Sequence, residues 1–165
     1  MIDKRKENMS KITLNNKRVL IVDDEPDVLE SLEELLDMCT TVRAQTFDEA
    51  GKLLETEKFD IAILDIMGVD GYQLLKIARK KNVLTVMLTA NALSPDFIKK
   101  SYLGGASSYI PKEEMIHIED FLLDVLQDRK EGKNPWIAWY KRLEFYLKEK
   151  FGSDWDKDDK DFWHK

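Results

Sequence analysis

Ile61-Ala62-Ile63-Leu64-Asp65 is a short apolar run that ends abruptly in a carboxylate. Three other short apolar runs in the chain also end in polar residues. Such runs, separated by segments with helical periodicity, are typical of a parallel sheet that helices cover on both faces. The four runs are Val19–Val22 before Asp23 and Asp24, Ile61–Leu64 before Asp65, Val86–Leu88 before Thr89, and Tyr109–Pro111 before Lys112.

The polar ends of these runs predict one shared site. Parallel strands have the same polarity, so their carboxyl ends lie along one edge of the sheet, where open α/β sheets carry the ligand crevice. Carboxylates crowded there raise one another's pKa unless a cation neutralises them. Mg²⁺ suits such a site because it prefers a few carboxylate or carbonyl oxygens and keeps several waters. Asp23, Asp24 and Asp65 therefore predict a magnesium site.

The same edge offers the groups that phosphoryl transfer needs. The ammonium of Lys112 supplies positive charge, and the hydroxyl of Thr89 supplies a hydrogen-bond donor. One carboxylate remains as a nucleophile, and an Asp side chain can carry phosphate as an aspartyl-phosphate. These residue types together indicate phosphoryl transfer onto an aspartate.

Each of these residues also has a purely structural interpretation. The string Asp23–Pro26 is typical of a helix start. Thr89 alone is compatible with a helix cap, Lys112 with a surface residue and Tyr109 with a packed aromatic residue. Asp65 is harder to explain in this way, because a lone carboxylate at the end of a buried strand is costly without partners. The joint occurrence favours the functional interpretation.

From about Arg18 to Lys130, the chain resembles a response-regulator receiver domain, the phospho-acceptor half of a two-component signalling pair. Motifs in the family's order carry this resemblance. It implies an α/β fold with a doubly wound five-stranded parallel sheet of the flavodoxin-like order 2-1-3-4-5. The motifs are Asp23-Asp24 after the first strand, Asp65 after the third, Thr89-Ala90 after the fourth, and Tyr109 three residues before Lys112.

The resemblance also implies a phosphoacceptor and a metal site. By resemblance, Asp65 is the phosphoacceptor, and Asp23 and Asp24 bind Mg²⁺. Asp65 itself and the backbone carbonyl of Met67 complete the metal ligands. Lys112 contacts the phosphoryl group.

The resemblance also implies which residues switch on phosphorylation and which affect the lifetime of the phosphoryl group. Thr89 reorients toward the phosphoryl group, and Tyr109 is the aromatic switch residue that follows Thr89 inward. Met67 and Asn91 match family positions that affect phosphoryl lifetime, so they are predicted to tune autodephosphorylation.

The loop after the third run departs from the family pattern. The usual loop contains Met-Pro-x-Met-Asp-Gly, whereas residues 65–71 form a segment that is two residues shorter and lacks the Pro. Gly68 and Gly71 permit positive φ, so we expect a tight turn into the next helix with Asp70 as its cap. The carbonyl ligand at Met67 is expected to survive.

Composition predicts one domain with an appendage. The chain has 165 residues, 43% of them hydrophobic, which suffices for one core. Its single Cys39 cannot form an internal disulfide, and no apolar run approaches the roughly 18 residues of a membrane span. We expect a cytoplasmic protein without a membrane partner. The predicted division is a polar tail (1–16), a receiver (17–130) and an aromatic-rich helical extension (131–165).

The charge distribution argues against a direct nucleic-acid partner. Residues 17–130 hold 14 Lys or Arg against 22 Asp or Glu, and residues 131–165 hold eight of each kind. Binding to the phosphate backbone needs clustered basic residues, which neither region provides. The extension also lacks a helix-turn-helix pattern.

The extension stands out by its aromatic content. It holds all four Trp and nine of the chain's 16 aromatic residues. Asn134-Pro135 predicts the cap and first residue of a helix that ends at Gly152. Its apolar stripe either packs on the receiver as an extra layer or forms a partner or homodimer surface, because Trp and Tyr concentrate at binding hot spots. The stripe comprises Trp136, Trp139, Tyr140, Leu143 and Leu147.

The leading hypothesis is a receiver that takes a phosphoryl group from a sensor histidine kinase or phosphotransfer protein onto Asp65. It then signals to an unknown downstream protein through protein contacts. The alternative is an interaction or dimerisation module that uses the extension regardless of phosphorylation. An enzyme is not expected, because phosphohydrolases with an aspartyl intermediate commonly have Asp-x-Asp and position 67 is Met.

Overall fold

Strands and helices alternate along the computed structural model, which describes residues 12–90 and 94–156. The strands are β1 (Arg18–Val22), β2 (Thr40–Ala44), β3 (Ile61–Asp65), β4 (Leu84–Thr89) and β5 (Ser108–Pro111). The helices are α1 (Pro26–Leu35), α2 (Phe47–Thr56), α3 (Gly71–Lys80), α4 (Pro95–Leu103), α5 (Ile118–Glu131) and α6 (Pro135–Phe151), and a 3₁₀-helix (Lys112–His117) joins β5 to α5.

The five strands form one parallel sheet in the order β2-β1-β3-β4-β5. This confirms the predicted doubly wound fold. In the register, Val22 pairs with Leu64, and Thr89 pairs with Pro111. The polar residues that follow or end these strands therefore lie along one edge of the sheet.

The central strands β3 and β4 are buried along their whole length. Helices cover both faces of such a sheet, so no position in these strands faces water and the sequence reads as a continuous apolar run. The edge strand β2 has mostly half-buried or exposed residues, which explains its weaker apolar signal. Burial thus accounts for which runs stood out in the sequence.

Helix α6 has the predicted bounds and packs against α5 and β5. The Asn134 side chain accepts a hydrogen bond from the Trp136 main-chain N–H at 3.0 Å, and Gly152 follows the last turn with a φ of 89°. Four of the five stripe residues are buried, and Tyr140 is half-buried. The stripe therefore forms an extra layer on the domain built around the sheet.

Among the described residues, no helix combines the length and the apolar character that crossing a membrane requires.

Candidate functional site

An open cleft of about 480 Å³ lies at the carboxyl edge of the sheet. It brings together residues that follow or end four strands, including five residues predicted from the sequence. Asn91 lies outside the described residues. The lining residues are Asp24, Glu25, Asp65, Met67, Gly68, Thr89, Ala90, Phe97 and Lys112.

The ammonium of Lys112 lies between two buried carboxylates. Its Nζ is 2.8 Å from Oδ2 of Asp23 and 3.5 Å from Oδ1 of Asp65. Asp23 is fully buried, and its Oδ1 accepts a hydrogen bond from the main-chain N–H of Glu25 at 2.9 Å. A half-buried cation thus bridges the ends of β1 and β3.

Burial and charge shift the protonation of this group in predictable directions. Burial raises the pKa of Asp23 above its usual value, and the hydrogen bond from Lys112 offsets only part of this effect. Burial on its own lowers the pKa of Lys112, but the hydrogen bond and charge of Asp23 outweigh it and the net shift is upward. Lys112 therefore stays protonated at neutral pH, and more positive charge in the cleft would favour ionised Asp23.

The shortened loop holds Asp65 through its main chain. The N–H of Gly68 donates to Oδ2 of Asp65 at 3.0 Å. A Cβ on Gly68 would lie 2.4 Å from Oδ1 of Asp24, and a Cβ on Gly71 would lie 2.2 Å from the carbonyl oxygen of Asp65. Both glycines are therefore required by close approach to the acidic residues.

The left-handed backbone of this loop belongs to Asp70, with a φ of 54°, and not to Gly68 or Gly71. Asp70 occupies the N-cap position of α3, but its side chain makes no capping hydrogen bond. Gly68 and Gly71 permit positive φ but do not adopt it. The close approach of Asp24 and Asp65, rather than backbone conformation, requires glycine at these two positions. Asp tolerates the left-handed region better than most residues do.

Thr89 and Tyr109 are both buried behind the cleft. The hydroxyl of Tyr109 shares a hydrogen bond with the Thr89 side chain, and burial raises the pKa of Tyr109 well above its usual value. The phenol therefore stays protonated, and the two side chains predicted to switch together are in contact.

The donor set at the cleft fits a hard divalent cation. Asp23, Asp24 and Glu25 each offer one carboxylate oxygen, and these three atoms lie within 4.8 Å of one another. Carboxylate oxygens in a site open to water are the ligands that Mg²⁺ prefers. Asp65 is joined to this group through Lys112, and the side chain of Met67 is 71% exposed at the rim of the cleft.

Sequence reasoning missed Glu25, Gly68 and Phe97 as residues of this site. Glu25 could have been found because it directly continues the acidic pair. Gly68 and Phe97 enter the cleft only through the path of the loop and the placement of α4, for which short-range patterns contain no signal.

Comparison with known proteins places most of the chain in one family. Residues 19–121 match the family model for the response regulator receiver domain. The two-component response regulator ARR12 of Arabidopsis thaliana is 31% identical over 128 residues, which cover 71% of this chain and 21% of the relative. The heme response regulator HssR of Staphylococcus saprophyticus is 35% identical over 99 residues, which cover 56% of this chain and 43% of the relative.

Solved structures agree with this assignment. The CheY-like response regulator receiver domain protein from Methanospirillum hungatei JF-1 is 27% identical with a TM-score of 0.59, over 70% of this chain and 99% of that one. A response regulator from Thermotoga maritima, 22% identical with a TM-score of 0.61 over 67% of this chain and 97% of that one, shares the fold. The chain spans less than half the length of the two curated relatives, and α6 lies beyond the residues that match the family model.

Proposed function

This chain belongs to the response-regulator receiver family, and we propose that it accepts a phosphoryl group on Asp65 from the phosphohistidine of a sensor histidine kinase or phosphotransfer protein. One observation carries the proposal. The Asp65 carboxylate lines an open cleft, with the ammonium of Lys112 3.5 Å from its Oδ1. This supports the proposal, because a carboxylate acting as nucleophile would then lie beside a cation that can neutralise phosphoryl oxygens.

In the proposed transfer, a carboxylate oxygen of Asp65 attacks phosphorus. The new P–O bond forms as the P–N bond to the donor imidazole breaks, and the electron pair of the broken bond returns to the imidazole, which takes up a proton from water. The product is an aspartyl-phosphate whose charge is near −2. The cleft must therefore stabilise more negative charge after the transfer than before it.

The residues around Asp65 can supply that stabilisation. Lys112 already lies between Asp23 and Asp65, so a small rotation lets its ammonium donate to a phosphoryl oxygen. The Thr89 hydroxyl can donate a second hydrogen bond. Mg²⁺ would be held by Asp23, Asp24, Asp65 and the Met67 carbonyl, and it supplies further positive charge to the phosphoryl oxygens.

Signalling would follow from the contact between Thr89 and Tyr109. When Thr89 turns toward the phosphoryl group, its hydrogen bond with Tyr109 must change. This biases a two-state equilibrium around α4 and β5. The output would reach an unknown downstream protein through protein contacts.

The decisive experiment replaces the proposed acceptor. The full chain, incubated with Mg²⁺ and a labelled phosphodonor, should incorporate close to one phosphoryl group, and Asp65→Asn should incorporate none. Asp70→Asn is the matched control, since Asp70 lies in the same loop but does not line the cleft, and it should label like the wild type. Persistent stoichiometric labelling of Asp65→Asn would refute the assignment.

One observation favours the alternative of a phosphorylation-independent interaction or dimerisation module. Phe145 on the outer side of α6 is 76% exposed, and Ile137 on the same helix is also exposed. Sedimentation of the wild type and Asp65→Asn, with and without a phosphodonor, separates the two functions. Self-association that is equal in all four samples would support the alternative.

A further inference from the structure

We propose that Trp139 is a positioning residue that couples α6 to the phosphoryl site through Tyr109. The inference rests on the proposed function of Asp65. Its starting point is one buried contact, in which the indole N–H of Trp139 donates to the main-chain carbonyl of Tyr109 at 2.6 Å. The two residues are almost completely buried, so this hydrogen bond is shielded from water.

Tyr109 makes contacts on two sides. Its hydroxyl shares a hydrogen bond with Thr89, which lines the cleft. Its carbonyl accepts from Trp139 of α6. A movement of Tyr109 that follows Thr89 and shifts the main chain of β5 would therefore strain or relax the bond to Trp139.

A second contact of α6 lies on the other side of the phosphoryl-binding lysine. Glu113, the neighbour of Lys112, accepts a hydrogen bond from the Tyr146 hydroxyl at 3.3 Å and pairs with Nζ of Lys150 at 3.4 Å. Helix α6 thus holds the segment that carries Lys112 at two points, Tyr109 and Glu113. The segment cannot shift without changing these contacts.

Trp136 offers an internal comparison with the same chemistry. Its indole N–H donates to the main-chain carbonyl of Ala106 at 2.9 Å. Ala106 precedes β5 and does not line the cleft. Two buried indoles on one helix therefore make the same kind of bond, and only the bond of Trp139 involves the residue that touches Thr89.

Thermodynamic linkage gives this arrangement a measurable consequence. The structure has α6 docked and Tyr109 buried together. If docking favours the buried position of Tyr109, occupation of the phosphoryl site and docking of α6 stabilise each other by the same factor. Removal of the Trp139 N–H should weaken binding at the cleft, although Trp139 does not line it.

The test compares Trp139→Phe with Trp136→Phe in the full chain. Each variant loses one indole N–H and keeps an aromatic ring. Titration with beryllofluoride and Mg²⁺, followed by NMR at the Gly68 amide, should show affinity weakened about two- to tenfold in Trp139→Phe, the range expected for one hydrogen bond. Trp136→Phe should bind like the wild type.

The outcomes of this titration distinguish failure of the coupling from failure of the proposed function. Equal affinity in the two variants would overturn the role of Trp139 and leave the proposed function intact. Failure of the wild type to bind beryllofluoride would overturn the proposed function itself.

A measurement on the wild type covers the case in which Trp139→Phe does not fold. Because the coupling is reciprocal, saturation with beryllofluoride and Mg²⁺ should slow hydrogen exchange at the Trp139 indole and at the amides of Leu143 and Leu147 by about the same two- to tenfold. Unchanged exchange at these groups would refute the coupling.

Discussion

The cleft and helix α6 are built by opposite means. The cleft buries charge, because Asp23 and Lys112 face each other out of contact with most water and Asp65 lies beside them. Helix α6 buries aromatic and aliphatic side chains, and it matches the indole N–H groups of Trp136 and Trp139 to main-chain carbonyls. Buried charge supports chemistry at the expense of stability, whereas apolar burial supports stability. Substitutions should therefore affect mainly function in the cleft and mainly stability in α6.

The largest expected effect is loss of phosphorylation when the metal is removed. Chelation of Mg²⁺ should lower the rate of label incorporation by about 100-fold or more, because the positive charge at the phosphoryl oxygens is lost. Far-UV circular dichroism should stay unchanged, because the helix α6 stays packed on α5 and β5 without the metal. Labelling that persists with a chelator would show that phosphorylation in the cleft does not need the metal.

A large effect on stability is expected from Trp139→Ala. Loss of a buried Trp side chain should lower the free energy of unfolding by about 3–5 kcal/mol, as measured by urea denaturation. Phe145→Ala on the exposed side of the same helix is the matched control and should change it by less than about 0.5 kcal/mol. Equal small effects would mean that α6 contributes nothing to the stability of the receiver.

Substitution of two glycines distinguishes the effect of crowding at the cleft from the effect of backbone conformation elsewhere. Gly71→Ala should cost about 3 kcal/mol, because its Cβ would collide with the carbonyl of Asp65, and it should also slow phosphorylation. Gly132→Ala meets no atom within 4 Å but requires a φ of 69°, so it should cost about 1 kcal/mol without affecting phosphorylation. Unimpaired phosphorylation of Gly71→Ala would show that the loop does not position Asp65.

The smallest expected effect is a gain in stability from Asp23→Asn without Mg²⁺. Burial raises the pKa of Asp23 in the folded state above its unfolded value of about 3.9. The folded state therefore favours protonated Asp23. The resulting stabilisation is complete below the pKa of Asp23 in the unfolded state, and it is lost as the pH rises through the pKa of Asp23 in the folded state. Ionised Asp23 therefore destabilises the fold at neutral pH, and the neutral amide should remove that penalty.

Urea denaturation at pH values from 4 to 8 checks this prediction. The wild type should lose stability over the window between the two pKa values of Asp23, and Asp23→Asn should lose less. A variant that is less stable than the wild type throughout would mean that the ion pair with Lys112 outweighs the burial of Asp23.

Much of the fold could be predicted from the sequence, because the end of each strand can be recognised locally and the strands of a parallel sheet all point the same way. Each buried run shows where a strand ends, and parallel pairing then places residues such as Asp65 and Thr89 along one edge. The start of α6 was equally readable, since Asn134 and Pro135 act on the turn that they begin.

Other features depend on contacts that no local pattern encodes. The carbonyl partners of Trp136 and Trp139 lie 30 residues away in the chain, so the stripe indicated burial but not the surface that receives it. The role of the glycines in the loop after β3 was hidden for a related reason. These glycines fit a rule about φ, yet crowding against Asp24 and Asp65 is what requires them.

The order of the elements along the chain has a consequence for biosynthesis. Residues of β5 leave the ribosome before those of α6, so the sheet can form while its flank at β5 is still bare. During that interval the surface later covered by Trp136 and Trp139 is open to water and to other chains. The nascent receiver thus passes through a stage in which the surface under α6 is exposed, because that helix has not yet been made.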